Sequence, residues 1–228
     1  MPASSDSLKA MHPVFKPRVK ICCITDLAEA RMAIGYGASA LGLVSRMPSG
    51  PGIISEAVIA EIAAKVPPPI ATFLLTSEQD VATIVGQQRR CRTNALQICD
   101  RLTRGSYLDL KRDLPGIAIV QVIHVLGPES LDQALAAAPS VDAILLDSGN
   151  PSLAVKELGG TGRQHDWSLS RKIREQVEVP IFLAGGIHAG KARRAIEEVA
   201  PFALDICTGV RTEGKLDEQK LAALVSQF

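Results

Sequence analysis

The chain has almost no net charge. Its 25 Lys and Arg against 24 Asp and Glu leave +1 over 228 residues, and the charges are dispersed. Without a basic stripe, nucleic acid and anionic membrane are poor partners, although a local positive patch for a phosphorylated metabolite is compatible with the balance. The chain also lacks any run approaching the ~18–20 consecutive apolar residues of a membrane span. Cysteines number five, at 22, 23, 91, 99 and 207, with two adjacent. That odd count and spacing suit neither a disulfide framework nor a zinc knuckle, and point to reduced thiols in a cytoplasmic protein. His12, His124, His165 and His188 show no ligand spacing, so no metal is expected. Residues Met1 to Pro17 are polar and proline-punctuated, without the apolar core of a secretory signal, and read as a flexible extension.

What remains, 18–228, is rich enough in apolar residues (46% over the chain) for a sizeable core. Short apolar runs predict strands at Val19–Thr25, Ala40–Ser45, Ile70–Leu75, Ala95–Ile98, Ala118–His124, Ala143–Asp147, Ile181–Ala184 and Leu204–Cys207. Several are apolar at consecutive positions, as parallel strands covered on both faces are. Helical spacing falls between them, over Leu27–Tyr36, Glu56–Lys65, Glu78–Cys91, Tyr107–Asp113, Leu131–Ala138, Leu169–Gln176, Gly190–Val199 and Glu218–Ser226. Asp26 and Ser55 are candidate N-caps, Gly37 a helix terminator, and Val66-Pro67-Pro68-Pro69 a stop. Eight strand–helix units predict an α/β protein, either a closed (β/α)8 TIM barrel or an open doubly wound sheet. An open sheet of this size usually carries a nucleotide-binding glycine run after its first strand, and Cys22-Cys23-Ile24-Thr25-Asp26 contains no glycine. The barrel is the better reading, with the polar fourth unit its weakest element.

In such a barrel the site is built at the C-terminal ends of the strands. Three glycine-bearing turns cluster on the last three: Gly159-Gly160-Thr161-Gly162, Ala184-Gly185-Gly186 and Thr208-Gly209-Val210. Glycines there let backbone N–H groups approach an anion, so Gly160, Thr161, Gly162, Gly185, Gly186, Thr208 and Gly209 are candidate phosphate-binding residues. Cys22 ends the first strand and Asp147 the sixth, three steps apart in a ring of eight, which sets a thiol and a carboxyl group on nearly opposite walls. That pair suits proton abstraction and donation. A cysteine base needs thiolate character, for which Lys20 on the same strand face is a candidate source. The aspartate must hold a proton near neutral pH. Asp166-Trp167 reads as a helix cap with a core aromatic; Cys23, Cys91 and Cys207 read as packing thiols, while Cys99 and His124 stay open between packing and pocket roles.

Lys20-Ile21-Cys22-Cys23-Ile24-Thr25, Leu145-Leu146-Asp147-Ser148, the Gly159–Gly162 turn with Asp166-Trp167, Leu183-Ala184-Gly185-Gly186-Ile187 and Asp205-Ile206-Cys207-Thr208-Gly209-Val210 resemble, in order and spacing, the motifs of phosphoribosylanthranilate isomerases over residues 18 to about 225. The resemblance implies an Amadori rearrangement of an N-linked phosphoribosylamine to a 1-deoxyribulose 5-phosphate in tryptophan biosynthesis, without cofactor or metal, by a monomer or homodimer. By position, Cys22 matches the general base at C2 of the sugar and Asp147 the general acid at the ring oxygen.

The pattern breaks in four places. Cys23 replaces the family's glycine, and Cys99-Asp100 replace a His-Gly after strand four. Arg211 stands where glutamate is usual, adding positive charge near the phosphate side. After strand two the arginine expected to meet the anthranilate carboxylate is missing, its place taken by Gly52 or Pro51. Lys20, Arg46, Gln97 and Arg211 are the remaining candidate substrate-binding residues, Arg46 as a stand-in for that arginine. Two alternatives follow: a related isomerase acting on a different phosphosugar derivative, and a non-catalytic phosphometabolite-binding barrel.

Overall fold

The computed structural model describes residues 17–228. Eight parallel strands close into a barrel in sequence order: β1 (Arg18–Ile21), β2 (Ala40–Val44), β3 (Ala71–Thr76), β4 (Ala95–Ile98), β5 (Ala118–His124), β6 (Ala143–Asp147), β7 (Ile181–Leu183) and β8 (Ala203–Ile206). Helices α1 (Leu27–Gly35), α2 (Glu56–Lys65), α3 (Val81–Cys91), α4 (Tyr107–Asp113), α5 (Glu129–Ala137), α6 (Trp167–Gln176), α7 (Ala189–Val199) and α8 (Glu218–Val225) follow the strands in turn. A two-strand ribbon, β9 (Arg211–Thr212) and β10 (Lys215–Leu216), precedes α8. The expected (β/α)8 barrel is therefore the fold. The extension expected over residues 1–17 lies, but for Pro17, outside the described residues.

Period-2 alternation along buried strands divides the apolar side chains between two layers. Ile21, Leu41, Leu74, Leu96, Ile119, Ile144, Leu183 and Leu204 point outward and pack under the helices. Ala40, Val44, Phe73, Leu75, Ala95, Val120, Val122, Ala143, Leu145 and Phe182 fill the barrel. Small and large residues mix inside, so the interior packs solid below and leaves room only at the C-terminal rim.

The helix ends are chemically specified. Asp26, Ser55, Asp80, Ser106, Asp166 and Asp217 each accept a backbone N–H of the first turn of their helix. Gly37, at φ 89°, follows α1 in the left-handed conformation expected of a terminating glycine. Trp167 is buried at the start of α6, as expected of a core aromatic.

Most boundaries that differ from expectation move by a residue or two; the two larger shifts have local reasons. β1 stops at Ile21 rather than Thr25, because Cys23 takes φ 63° and turns the chain out of the sheet. α3 starts at Val81 rather than Glu78: the Glu78 N–H is taken by Thr76 Oγ1, and Asp80 supplies the cap.

The short α4 of the fourth unit is held by a reciprocal capping box between Ser106 and Asp109. Ser106→Ala is expected to lower stability by about 1 kcal/mol, read as a lower urea midpoint at unchanged m-value.

Candidate active site

The seam that closes the barrel carries a buried ion pair. β1 and β8 pair with Lys20 opposite Asp205, and Lys20 Nζ donates to Asp205 Oδ1 at 2.9 Å with 0% and 7% of the side chains exposed. Lys20 also lies over the Phe73 ring, 5.2 Å from its centroid. Burial favours the neutral amine, but the Asp205 carboxylate outweighs it, and Lys20 is held above the ordinary lysine range as a fixed cation. Gly42 makes the space: a Cβ there would fall 2.7 Å from Cys22 Sγ and 3.2 Å from Lys20 Nζ.

Above this pair a cavity opens between the strand ends, lined by residues that include Cys22, Gln97, Asp147, Gly160, Thr161, Gly162, Gly185, Gly186, Asp205 and Thr208. Cys22 and Asp147 thus face one space from β1 and β6. A hydrogen bond from the Cys23 side chain holds the Cys22 thiol below its ordinary value; burial opposes this, and the Lys20 ammonium adds to it. Asp147 is pushed up by burial, which the Ser148 backbone N–H, His124 and Lys20 only partly offset. One group is therefore biased toward the anion and the other toward the acid. Gly159 leaves Asp147 its room, since a Cβ there would meet Oδ2 at 3.0 Å.

The glycine turns form one surface. A Cβ on Gly186 would lie 2.9 Å from Gly162 O, and one on Gly162 would lie 3.4 Å from Thr208 Oγ1. The three turns interlock on adjacent strands and leave a backbone-lined recess of the kind that accepts a phosphate. Thr161 Oγ1 is tied to Ser148 Oγ at 2.7 Å, fixing the turn. Across the mouth, Ser49 Oγ donates to Lys156 O at 2.7 Å, and a Cβ on Gly160 would fall 2.5 Å from Pro51 Cδ. The loops after β2 and β6 start on opposite walls and meet, so they roof the cavity.

Four candidates take other positions. Lys20 lies beneath the cavity, bound to Asp205, and does not reach its wall. Arg46 is exposed and off the wall; only its carbonyl is engaged, by Ser77 Oγ. Arg211 turns away from the cavity and is buried, with Nη1 2.8 Å from Glu29 Oε1 and Nη2 donating to the carbonyls of Cys22 and Cys23. Its charge is neutralised within the fold and adds none to the phosphate side. Gly209 is off the wall too, and is glycine because a Cβ would fall 2.0 Å from Ile187 O. Gln97 does line the cavity, and its Oε1 has no protein partner. His124 packs away from the wall with Nε2 3.0 Å from Cys99 O.

Cys23 and Cys207, expected as packing thiols, join Cys22 around the cavity, as does Cys99, whose role was open; Asp205 forms part of the lining too. The signal was strand parity: Asp205 and Cys207 share a face with period two, as do Gln97 and Cys99. Among the described residues, no Lys, Arg or His lines this cavity.

Two departures also meet in space. A Cβ at position 52 would lie 2.4 Å from Cys23 Cβ, 2.8 Å from Cys23 Cα and 3.1 Å from Cys23 O. The backbone of Cys23 as well as its side chain excludes a side chain at 52, where the chain takes φ 76°. Cys23 also sits in the left-handed region that favours glycine, a strain of about 1–3 kcal/mol.

The family model for N-(5'-phosphoribosyl)anthranilate isomerase matches residues 19–227. The chain belongs to that family. It is 33% identical over 210 residues to N-(5'-phosphoribosyl)anthranilate isomerase 2 of Methanosarcina mazei, covering 91% of this chain and 92% of that one. The isomerase of Thermosynechococcus vestitus is 32% identical, over 92% and 89%. Among solved structures, phosphoribosyl anthranilate isomerase from Thermotoga maritima superposes with TM-score 0.77 at 27% identity, covering 93% of this chain and 98% of that one. A phosphoribosyl anthranilate isomerase in complex with reduced 1-(o-carboxyphenylamino)-1-deoxyribulose 5-phosphate superposes with TM-score 0.74 at 25% identity, over the same shares. The Cys23 and Gly52 departures from the motif pattern, and Cys99 in place of its histidine, all fall on or beside this cavity.

Lys20→Met leaves Asp205 buried without its partner and is expected to cost about 3–5 kcal/mol in denaturant unfolding. Lys20→Met with Asp205→Leu is expected to recover most of that loss, which separates the penalty of an orphaned charge from a lost attraction.

Proposed function

We propose that this protein isomerises a phosphoribosylanthranilate-type aminoaldose to the corresponding 1-deoxyribulose 5-phosphate in cytoplasmic tryptophan biosynthesis. The observation that carries the proposal is the oppositely biased pair Cys22 and Asp147 facing one cavity, in a chain of this family. The phosphate docks on the backbone of Gly160–Gly162, Gly185, Gly186 and Thr208. Asp147 gives its proton to the ring oxygen, the C1–O bond breaks, and the nitrogen lone pair forms the open-chain iminium ion. The Cys22 thiolate removes the C2 proton, the electrons neutralise the iminium, and the resulting enolamine tautomerises to the ketone. Gln97 Oε1 is placed to accept a hydrogen bond from a sugar hydroxyl.

Cys22→Ser and Asp147→Asn are each expected to lower kcat by roughly a hundredfold or more, followed by the decay of substrate fluorescence. Unchanged turnover in either variant would remove that residue from the mechanism. The base must be a thiolate, so kcat/KM falls as pH drops through the Cys22 pKa, at an inflection below the ~8.5 of a free cysteine. Cys23→Ala removes the hydrogen bond that favours the thiolate and moves that inflection upward.

The cation-free wall favours a second reading, in which the same chemistry acts on a phosphosugar whose aglycone lacks a carboxylate. N-(5'-phosphoribosyl)aniline, which has no carboxylate, separates the two. Faster turnover of the aniline compound supports the second reading, and faster turnover of the anthranilate supports the first. Gly52→Arg meets the backbone as well as the Cβ of Cys23 and is strained at φ 76°, so it is expected to lower the urea midpoint and not to lower KM for the anthranilate, with or without Cys23→Gly.

A further inference from the structure

The wall of the active site holds a thiol pair that the isomerisation does not use. Cys207 Sγ lies 2.7 Å from Cys23 Sγ, across the seam between β1 and β8. The ladder pairs Ile21 with Ile206, so the two chains leave the barrel side by side with their cysteines just beyond it. Cys23 is 4% exposed and Cys207 half-buried, and both open onto the substrate cavity. A small oxidant that enters the site therefore meets both sulfurs. All five cysteines are free in this structure.

The pair is connected to Cys22. Cys207 S–H donates to the Cys23 sulfur, and Cys23 is the chain neighbour of Cys22, whose thiol it biases toward the anion. The thiol pair thus lies beside the proposed base. Lys20, Asp205 and Cys99 also lie near Cys22; Lys20 is engaged by Asp205, and Cys99 S–H donates to the Gln97 carbonyl.

We propose that Cys23 and Cys207 form a reversible disulfide with low-molecular-weight disulfides as oxidant, and that closing it withdraws the S–H that Cys23 gives to Cys22. In the first step the Cys207 thiolate attacks one sulfur of the small disulfide, whose S–S bond breaks and releases one small thiol. In the second, Cys23 sulfur displaces the other small thiol and the Cys23–Cys207 bond closes. The two protein thiols lose two electrons and two protons, and the small disulfide becomes two thiols. With its donor gone, the Cys22 thiolate is less favoured and the site slows. This last link rests on Cys22 being the base; disulfide formation does not.

The test reads thiols rather than turnover. The full-length protein is treated with oxidised glutathione, then mapped by non-reducing peptide mass spectrometry, with Cys22 alkylation by iodoacetamide timed before and after. The expected result is a cross-linked peptide joining Cys23 to Cys207 without retained glutathione, and Cys22 alkylation slowed by about tenfold, both reversed by dithiothreitol. In Cys207→Ser the treatment no longer slows Cys22 alkylation. Five free thiols after treatment, a cross-link through another pair, or a cross-link that leaves Cys22 reactivity unchanged would each overturn the proposal. So would slowing of the same size in Cys207→Ser. Absence of isomerase activity alongside the expected cross-link and slowed alkylation would overturn the catalytic reading alone.

Discussion

Lys20 and Asp205 are buried where the first and last strands meet, and much of the site follows from that placement. A barrel of eight parallel strands must join β1 to β8 by hydrogen bonds between chain ends far apart in sequence. Here the joint carries an ammonium and a carboxylate that each demand the other, because either alone would be a buried charge without compensation. The pair pins the register of the seam. It also fixes a cation below Cys22 and leaves a carboxylate on the cavity wall, so the closing interaction of the fold is an electrostatic neighbour of the chemistry. Gly42 and Phe73 complete the arrangement, the first by absence of a side chain and the second by offering its ring to the ammonium.

The second constraint is the turn after β1. Cys23 is left-handed, and its carbonyl, with that of Cys22, is held by Arg211, whose charge is met by Glu29. Arg211 therefore acts as a clamp on the turn that presents Cys22. Cys23 also fills the space over position 52, which ties the composition of the wall to the loop after β2. A change at one of these positions reaches the others through contact.

How far the sequence could be read follows from which contacts are local. β4, β5, β6, α2 and α4 fall at their expected bounds, since run length, caps and prolines are written within a few residues of each element. Cys22, Asp147 and the glycine turns lie at strand ends, where parity and spacing alone assign them to one face. Arg211 lies away from the cavity for a physical reason: a long charged side chain goes where its partner is. Glu29, 182 residues before Arg211, leaves no mark on the sequence around it. Lys20 shares the strand face of Cys22 but lies beneath the cavity, because burial against Asp205 decides its place and strand parity gives only the face. The thiols at 23 and 207 each resemble, taken singly, an ordinary buried cysteine, and only the closed seam brings them onto one cavity, where Cys99 joins them from β4.

The cation-free wall has a consequence for how affinity is divided along the substrate. In the proposed reaction the attraction for the phosphate comes from backbone N–H groups in the glycine recess, where the turns interlock through Gly162, Gly186 and Thr208. At the other end Met47, Pro51 and Leu158 offer surface without charge. Binding energy is then concentrated on the part of the substrate that does not react, which serves to orient C1 and C2 between Asp147 and Cys22. A ring bearing a carboxylate would have to leave that anion solvated at the roof formed by Ser49 and Lys156. A neutral ring could instead bury its face. The balance between these two outcomes is set where the turn after β1 meets the loop after β2, because the backbone of Cys23 leaves no room for a side chain at position 52.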